Sequence, residues 1–369
     1  MKSCGIIVEY NPFHNGHKIH IDNAKKESKC DVLIAVMSGN YVQRGEPAII
    51  DKFTRASFAI NNGVDLVLEL PYIFSTQSAS KFAYGAVSIL KLAKVDSICF
   101  GSESNNLDEL IEIAKSPINT DNLKESLNKG NSFVRSYGLL SRTMAPNDIL
   151  GVSYLKEMLK TNIKPISIQR TNHYHDLEIK DVSSASAIRN ALFNNTDIKD
   201  TTNMKEILLN NELINLEMFY PHIRLLLLTL DKNYLSNIFL FSEGIENHLI
   251  KQAHKYSDFN DFINASTTRR YTTSRIKRTL IQLLNQVTKK EVDNLKPINT
   301  IRILALNNKG RKYINTLKDV NIASRFSKVQ DGYRELEKKA ALSYSSVLSE
   351  KNRQDLIAKE IGGSIYIDI

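Results

Sequence analysis

Up to about residue 190 the chain alternates between two hydrophobic rhythms. Short, nearly continuous apolar runs fall at Cys4 to Val8, Val32 to Met37, Val64 to Leu70, Ser97 to Phe100 and Pro165 to Gln169. They are rich in β-branched residues, as parallel strands covered on both faces are. Between them, apolar positions recur at helical spacing. Asp51 to Asn62 ends at Gly63, a suitable C′ residue, Ser78 to Ala93 follows, and Asn147 to Leu159 starts after Pro146. This alternation predicts an α/β, doubly wound, Rossmann-like domain with a parallel sheet. Right-handed crossovers place the C-terminal strand ends on one edge, where ligands bind.

Beyond residue 195 the rhythm becomes mainly helical. Leu/Ile-rich segments run from Met204 to Leu216, His222 to Leu230 and Ile245 to Tyr256. "SRIKRTLIQLLNQV", from Ser274, reads as a basic amphipathic helix, and "TIRILALNNKGRKYI" as strand, turn and helix. The expected division is therefore 1–195 for the α/β domain and 196–369 for a mainly helical, basic region. No repeat or low-complexity linker marks the boundary.

Composition narrows the class. The 369 residues are 42% apolar and 24% charged, an ordinary globular balance. No apolar stretch has the length a bilayer requires, and the N-terminus lacks a signal-peptide pattern, so a cytosolic protein without a membrane partner is expected. Cys4, Cys30 and Cys99 form neither a metal-like pair nor an even disulfide set and read as reduced packing residues. The net charge of +9 is unevenly placed: Ala265 to Ala340 holds eighteen Lys and Arg against six Asp and Glu, a local +12 that leaves −3 elsewhere. Such concentration suits a polyanionic partner; a solvated basic face is the alternative.

The distinctive chemistry lies in "YNPFHNGHK", Tyr10 to Lys18. His14-Asn15-Gly16-His17 follows the first strand and opens a helix. Gly16 lets backbone approach a ligand closely. The helix N-terminus presents free N–H groups to a phosphate, and the imidazoles add donors. This set suits in-line attack on a nucleotide α-phosphate, where the protein positions groups and stabilises charge. Two surface histidines in a turn, or a zinc pair, are the alternatives; zinc lacks a third ligand at suitable spacing.

The tetrad resembles the HxGH signature of the nucleotidylyltransferase superfamily, shared with class I aminoacyl-tRNA synthetases. The longer "GIIVEYNPFHNGHKIH" is similar to the bacterial tRNA(Met) cytidine acetate ligase family, as are "MSGNYVQRGEPAIIDKFTRA", "NNGVDLVLELP", "FGSE", "PNDILGVSYLK" and "ISIQR". The likeness continues more weakly into "RRYTTSRIKRTLIQLL" and "IRILALNNKGRKYI". It implies an ATP-dependent ligase. Acetate and ATP would give acetyl-adenylate and pyrophosphate, and the acetyl group would pass to N4 of the wobble cytidine of elongator tRNA(Met). Magnesium is expected with the triphosphate, although no dedicated site is visible. The resemblance makes His14 and His17 the catalytic pair. It implies ATP contacts by Ile7, Val8, Glu9, Tyr10, Asn11, Phe13, His14, Asn15, Gly16, His17 and His20, and by Gly101, Asn147, Arg170 and Thr171.

Each later residue also has a plain structural reading. Gly101 is either a close approach to adenine or ribose or an ordinary strand-to-loop glycine. Asn147 is an ATP contact or a first-turn helix residue. Arg170 ends a strand at the ligand edge and reads as a phosphate ligand. "SSASAIR", Ser183 to Arg189, resembles the second superfamily signature of ISSTxIR type, and offers Ser186 and Arg189 as a triphosphate clamp or a Ser-capped helix with an exposed arginine. No lysine-rich KMSKS loop is evident, which argues against a true synthetase. Gln43, Arg44, Asp51 and Lys52 either hold acetate or cytosine or serve structure. His173 and His175 read as structural loop residues near the nucleotide. Arg269, Arg270, Arg275, Lys277 and Arg278, beside Tyr271, suit an RNA backbone with one stacking platform, or a solvated helix face. Two rival functions remain: a small-molecule adenylyltransferase, which leaves the basic segment idle, and a non-enzymatic RNA-binding protein.

Overall fold

The computed structural model of the chain describes residues 1–116, 144–170 and 183–369. Every strand expected in the first half forms: β1 (Ser3–Val8), β2 (Val32–Ser38), β5 (Leu66–Leu70), β6 (Ser97–Ser102) and β7 (Lys164–Gln169). Two short strands, β3 (Tyr41–Val42) and β4 (Glu46–Pro47), make an antiparallel hairpin after β2. All seven residues of β2 are buried, and they alternate between two cores. Leu33, Ala35 and Met37 join one apolar cluster; Val32, Ile34 and Val36 join the other. A strand covered on both faces has no polar side to show, hence its unbroken apolar sequence.

The helices begin where capping chemistry permits. The first, α1 (Asn15–Ser28), has His14 as its N-cap. In α2 (Lys52–Asn61), the Asp51 carboxylate accepts from the N–H groups of Phe53 and Thr54, both at 2.9 Å. α3 (Ala79–Leu92) and α4 (Pro146–Met158) match the expected spans to within a residue, and α5 (Ala185–Phe193) is capped by Ser184. The basic helix is α6 (Thr273–Leu284). The helix expected from Met204 to Leu216 is mostly absent: only Lys205–Leu209 is helical. Ile214 N–H instead bonds Ile49 O at 3.0 Å, and the chain turns toward the first domain.

With β8 (Thr300–Leu306) and β10 (Ile365–Tyr366) from the later part of the chain, the sheet order is β10-β8-β5-β2-β1-β6-β7. From β5 to β7 all pairs are parallel, and β1 lies between β2 and β6. The chain therefore leaves β1 in one direction and later returns on its other side. That reversal, between β1 and β6, opens a crevice at the strand C-termini. The sheet draws on both sides of residue 195. Strand β8 pairs antiparallel with β5, while β9 (Asn321–Ala323) and β10 pair parallel with β8.

A buried charge cluster fixes this late addition. Lys52 on α2 lies 2.8 Å from Glu360 and also pairs with Glu69 of β5. Arg302 of β8 lies 2.8 Å from Glu69 and 2.7 Å from Glu360. Glu337, on α7 (Tyr333–Ser345), completes the cluster; Glu360 belongs to α8 (Glu350–Ile361). Burial and the Glu69 charge push the Glu337 carboxyl up to about 8. Protonated Glu337 leaves two cations facing two carboxylates, a balance that a buried site requires.

Candidate active site

A cavity of about 340 Å³ opens at the crevice beside β1 and β6. It is lined from several elements: Ile7 and Val8 at the end of β1, Glu9 and Asn11 after it, His14, Gly16, His17 and His20 from the α1 start, and Gly101, Asn147, Arg170, Ser186 and Arg189. The first turns of α1, α4 and α5 all contribute lining residues, so three helix N-termini converge on one space. Their partial positive charge, with Arg44, Arg170 and Arg189 also lining the cavity, suits an anion.

The two catalytic candidates define each other's geometry. His14 Nδ1 accepts the Gly16 N–H at 3.1 Å, and His17 Nδ1 accepts the His14 N–H at 3.2 Å. The pair forms a reciprocal cap, with rings stacked at 3.7 Å between centroids. Because each Nδ1 accepts, the single proton of each neutral ring sits on Nε2, as a donor. Burial, assisted by Arg170 and Arg189, lowers His14 to about 3. His17 lies well below its ordinary value, first by burial and then through His14. Both rings are therefore neutral donors at pH 7. His20, lowered to about 4 by burial and Arg170, has a buried Nε2 without a hydrogen-bond partner among the described residues.

The other wall is held through hydrogen bonds. A Cβ at Gly101 would come within 3.1 Å of Arg170 Cγ, so the bare backbone makes room for that side chain. Asn147 Nδ2 donates to Glu103 at 2.6 Å, and the same carboxylate accepts from Asp148 N–H at 3.0 Å. Asn147 thus both lines the cavity and opens a capped helix. Arg189 donates to Asn11 O at 2.7 Å and to Glu46 at 3.2 Å, with Ser186 Oγ at 3.3 Å.

Three residues expected against the nucleotide do not line the cavity. Tyr10 and Phe13 are fully buried behind it, each packed against the His17 ring, with centroids at 4.9 and 5.6 Å. Asn15 instead donates from its side chain to Asp200 O at 2.7 Å. Thr171, His173 and His175 lie outside the described residues. The "SGNYVQRGEPAIIDK" group divides. Gln43 and Arg44 line the cavity, whereas Asp51 caps α2 and Lys52 is buried in the charge cluster.

The chain is similar to known proteins along its whole length. The model for the family described as HIGH Nucleotidyl Transferase matches residues 1–359. The tRNA(Met) cytidine acetate ligase of Oceanobacillus iheyensis is 36% identical over 400 residues, covering all of both chains. That of Staphylococcus aureus strain MRSA252 is 39% identical over 335 residues, or 87% of each chain. The chain belongs to the tRNA(Met) cytidine acetate ligase family. Two crystal structures of Thermotoga maritima TmcAL, one apo and one bound with alpha-thio ATP, superpose with TM-scores of 0.90 and 0.89 at 32% identity, over the full length of both chains.

Membership in the tRNA(Met) cytidine acetate ligase family makes the protein an enzyme of the ligase class. In this member the expected RNA contacts are only partly open. Arg269 and Arg270 are exposed, Arg270 donating to Glu243 at 3.1 Å. Arg275 bonds Glu243 and Ser242 at 3.3 and 3.0 Å. Lys277 bonds Glu46 at 2.7 Å, and Arg278 reaches Gln43 O at 3.4 Å. Tyr271 is no open stacking platform: it is 8% exposed, Arg275 lies 5.0 Å over its ring, and its hydroxyl donates to Glu243 O at 2.9 Å. Sequence reasoning missed Arg55. Its fully buried guanidinium donates to the carbonyls of Glu9 at 2.6 Å, Ser38 at 3.1 Å, Ile50 at 3.0 Å and Gly39, tying the β1 and β2 exits together. It missed Glu46 as well.

Proposed function

We propose that this ligase uses ATP to activate acetate as acetyl-adenylate, then transfers the acetyl group to N4 of the wobble cytidine of elongator tRNA(Met), in the cytosol. The observation that carries the first step is the tautomer-fixed pair of Nε2 donors on His14 and His17, set at a helix N-terminus in an arginine-lined cavity. Acetate is ionised at pH 7 and requires no base to attack the α-phosphate. The histidine donors and Arg170 would meet the charge that develops on the phosphoryl oxygens, while Ser186 and Arg189 hold the departing pyrophosphate. Neutral imidazoles donate hydrogen bonds without giving up a proton. Magnesium is expected with the triphosphate; among the described residues no group of three His, Cys, Asp or Glu could hold a metal.

The second step joins a weak nucleophile to an activated anhydride. The N4 lone pair is delocalised into the cytosine ring, so the mixed anhydride supplies the driving force and the protein supplies proximity. The base must leave its stack to reach the cavity. Arg269, Arg270, Arg275, Lys277 and Arg278 around α6 would meet the tRNA backbone, consistent with the +12 balance of that segment. No described helix is long and apolar enough to cross a membrane.

The test is ATP–pyrophosphate exchange with and without acetate, followed by mass spectrometry of digested tRNA(Met). Acetate-dependent exchange and a 4-acetylcytidine product are expected. Exchange that ignores acetate, or acetyl-free tRNA after full turnover, overturns the reading.

A further inference from the structure

The Glu46 carboxylate stands between two cations to which different ligands have just been assigned. Its Oε2 lies 3.2 Å from Arg189 Nη2, on the cavity wall, and its Oε1 lies 2.7 Å from Lys277 Nζ, on α6. All three side chains are half-buried, at 19 to 22% exposure, so solvent screens the two pairs less than it would on the surface. Burial opposes ionisation of Glu46, but Arg189 and Lys277 outweigh it and hold the carboxyl below the usual range. One anion is therefore shared by Arg189 and Lys277, with Arg44 adding a third positive charge nearby.

The hairpin carrying Glu46 is seated directly on the helix carrying Lys277. Gly45, at φ +78°, has no side chain to hold the two apart: a Cβ there would lie 2.2 Å from the Arg278 backbone nitrogen. Arg278 reaches back to Gln43 O at 3.4 Å, and Gln43 N–H donates to Glu9 at 2.8 Å, at the cavity floor. Glu46 cannot follow one partner away from the other without breaking these contacts.

We propose that Glu46 is a positioning residue that makes triphosphate and RNA compete through a shared counter-charge. The proposal rests on the reading above, in which Arg189 meets the triphosphate and α6 meets RNA. When a triphosphate draws Arg189 off Glu46, more of the carboxylate's charge falls to Lys277, which is then a poorer partner for an RNA phosphate. When pyrophosphate leaves, Arg189 returns to Glu46 and Lys277 is loosened for RNA. The device favours tRNA engagement after the adenylate has formed.

Linkage gives the measurement, because each ligand must weaken the other by the same factor. Affinity of the intact protein for elongator tRNA(Met) is measured at fixed salt, with and without saturating α,β-methylene ATP. Affinity for the analogue is measured by calorimetry with and without tRNA. Wild type is expected to show mutual weakening of about fivefold, the low end of ordinary coupling between sites. Glu46→Gln should bring the factor close to one while both ligands still bind, and Glu46→Asp should restore part of it. Lys277→Gln, which leaves Glu46 paired with Arg189 alone, should also abolish the coupling. Coupling unchanged in Glu46→Gln and Lys277→Gln overturns the proposal, as does independent binding in wild type. Failure of wild type to bind tRNA at all overturns the RNA assignment itself and this inference with it, an outcome distinct from either of those.

Discussion

At His14 and His17 the first turn of a helix sets a proton's position before any ligand arrives. Removing one such donor costs on the order of a hundredfold in rate where charge develops at the reacting centre. His17→Ala should therefore lower acetate-dependent pyrophosphate exchange by about that factor; exchange at the wild-type rate in a folded variant would remove the pair from the chemistry. His14 also carries a stability consequence. Its ordinary value of 6.5 falls to about 3 in the folded state. Below pH 6.5 the unfolded chain takes up a proton that the folded chain refuses, so stability falls as pH drops from 6.5 toward 3. At pH 5 the penalty is about 2 kcal/mol. His14→Asn keeps an N-cap acceptor but cannot titrate, and urea melts at pH 5 and pH 7.5 should show a smaller difference than wild type. The histidines were legible because the tetrad is local. Arg55 was not: its four carbonyl partners come from three separate stretches, and in "DKFTRAS" it looks like any exposed helix arginine. Tyr271 was misread for a similar reason, since the arginines expected to flank it fold over it.

At the scale of elements, apolar runs announced five strands, and helical spacing placed α2, α3 and α4 to within a residue. Pattern could not reveal that Ile214 would bond to Ile49 and end the Met204 helix early, nor the direction in which β8 would join β5. Both depend on contacts distant in sequence. The hairpin β3–β4 was equally hidden, because two residues per strand give no periodicity. Its seat on α6 allows a sharp test. Gly45→Ala would place a methyl group on backbone rather than on a yielding side chain, at a positive φ that disfavours alanine. A loss of about 2 kcal/mol is expected in urea unfolding, with weaker ATP use because Gln43, Arg44 and Glu46 shift together. An alanine variant as stable as wild type would mean that hairpin and helix separate easily.

Across the whole molecule, the Lys52–Glu69–Arg302–Glu337–Glu360 cluster joins residues far apart in the chain. Glu337, raised from 4.5 to about 8, adds stability that is complete below pH 4.5 and lost as pH rises through 8, the reverse of His14. Glu337→Gln keeps an acceptor for the Tyr72 N–H and should flatten the decline between pH 6.5 and pH 8, measured by thermal melts; an unchanged slope would show that Glu337 is ionised in the folded protein. None of this was visible in composition, where these residues count as ordinary surface charge. The same geometry has a consequence during synthesis. Strand β5 leaves the ribosome roughly 230 residues before β8, which at 5–20 residues per second means about 10 to 50 seconds with an unpaired apolar edge. Through that interval Lys52 and Glu69 lack Arg302 and Glu360. The nascent nucleotide-binding half is thus a sticky, incompletely neutralised intermediate, a natural client for a holding chaperone until the final strands emerge.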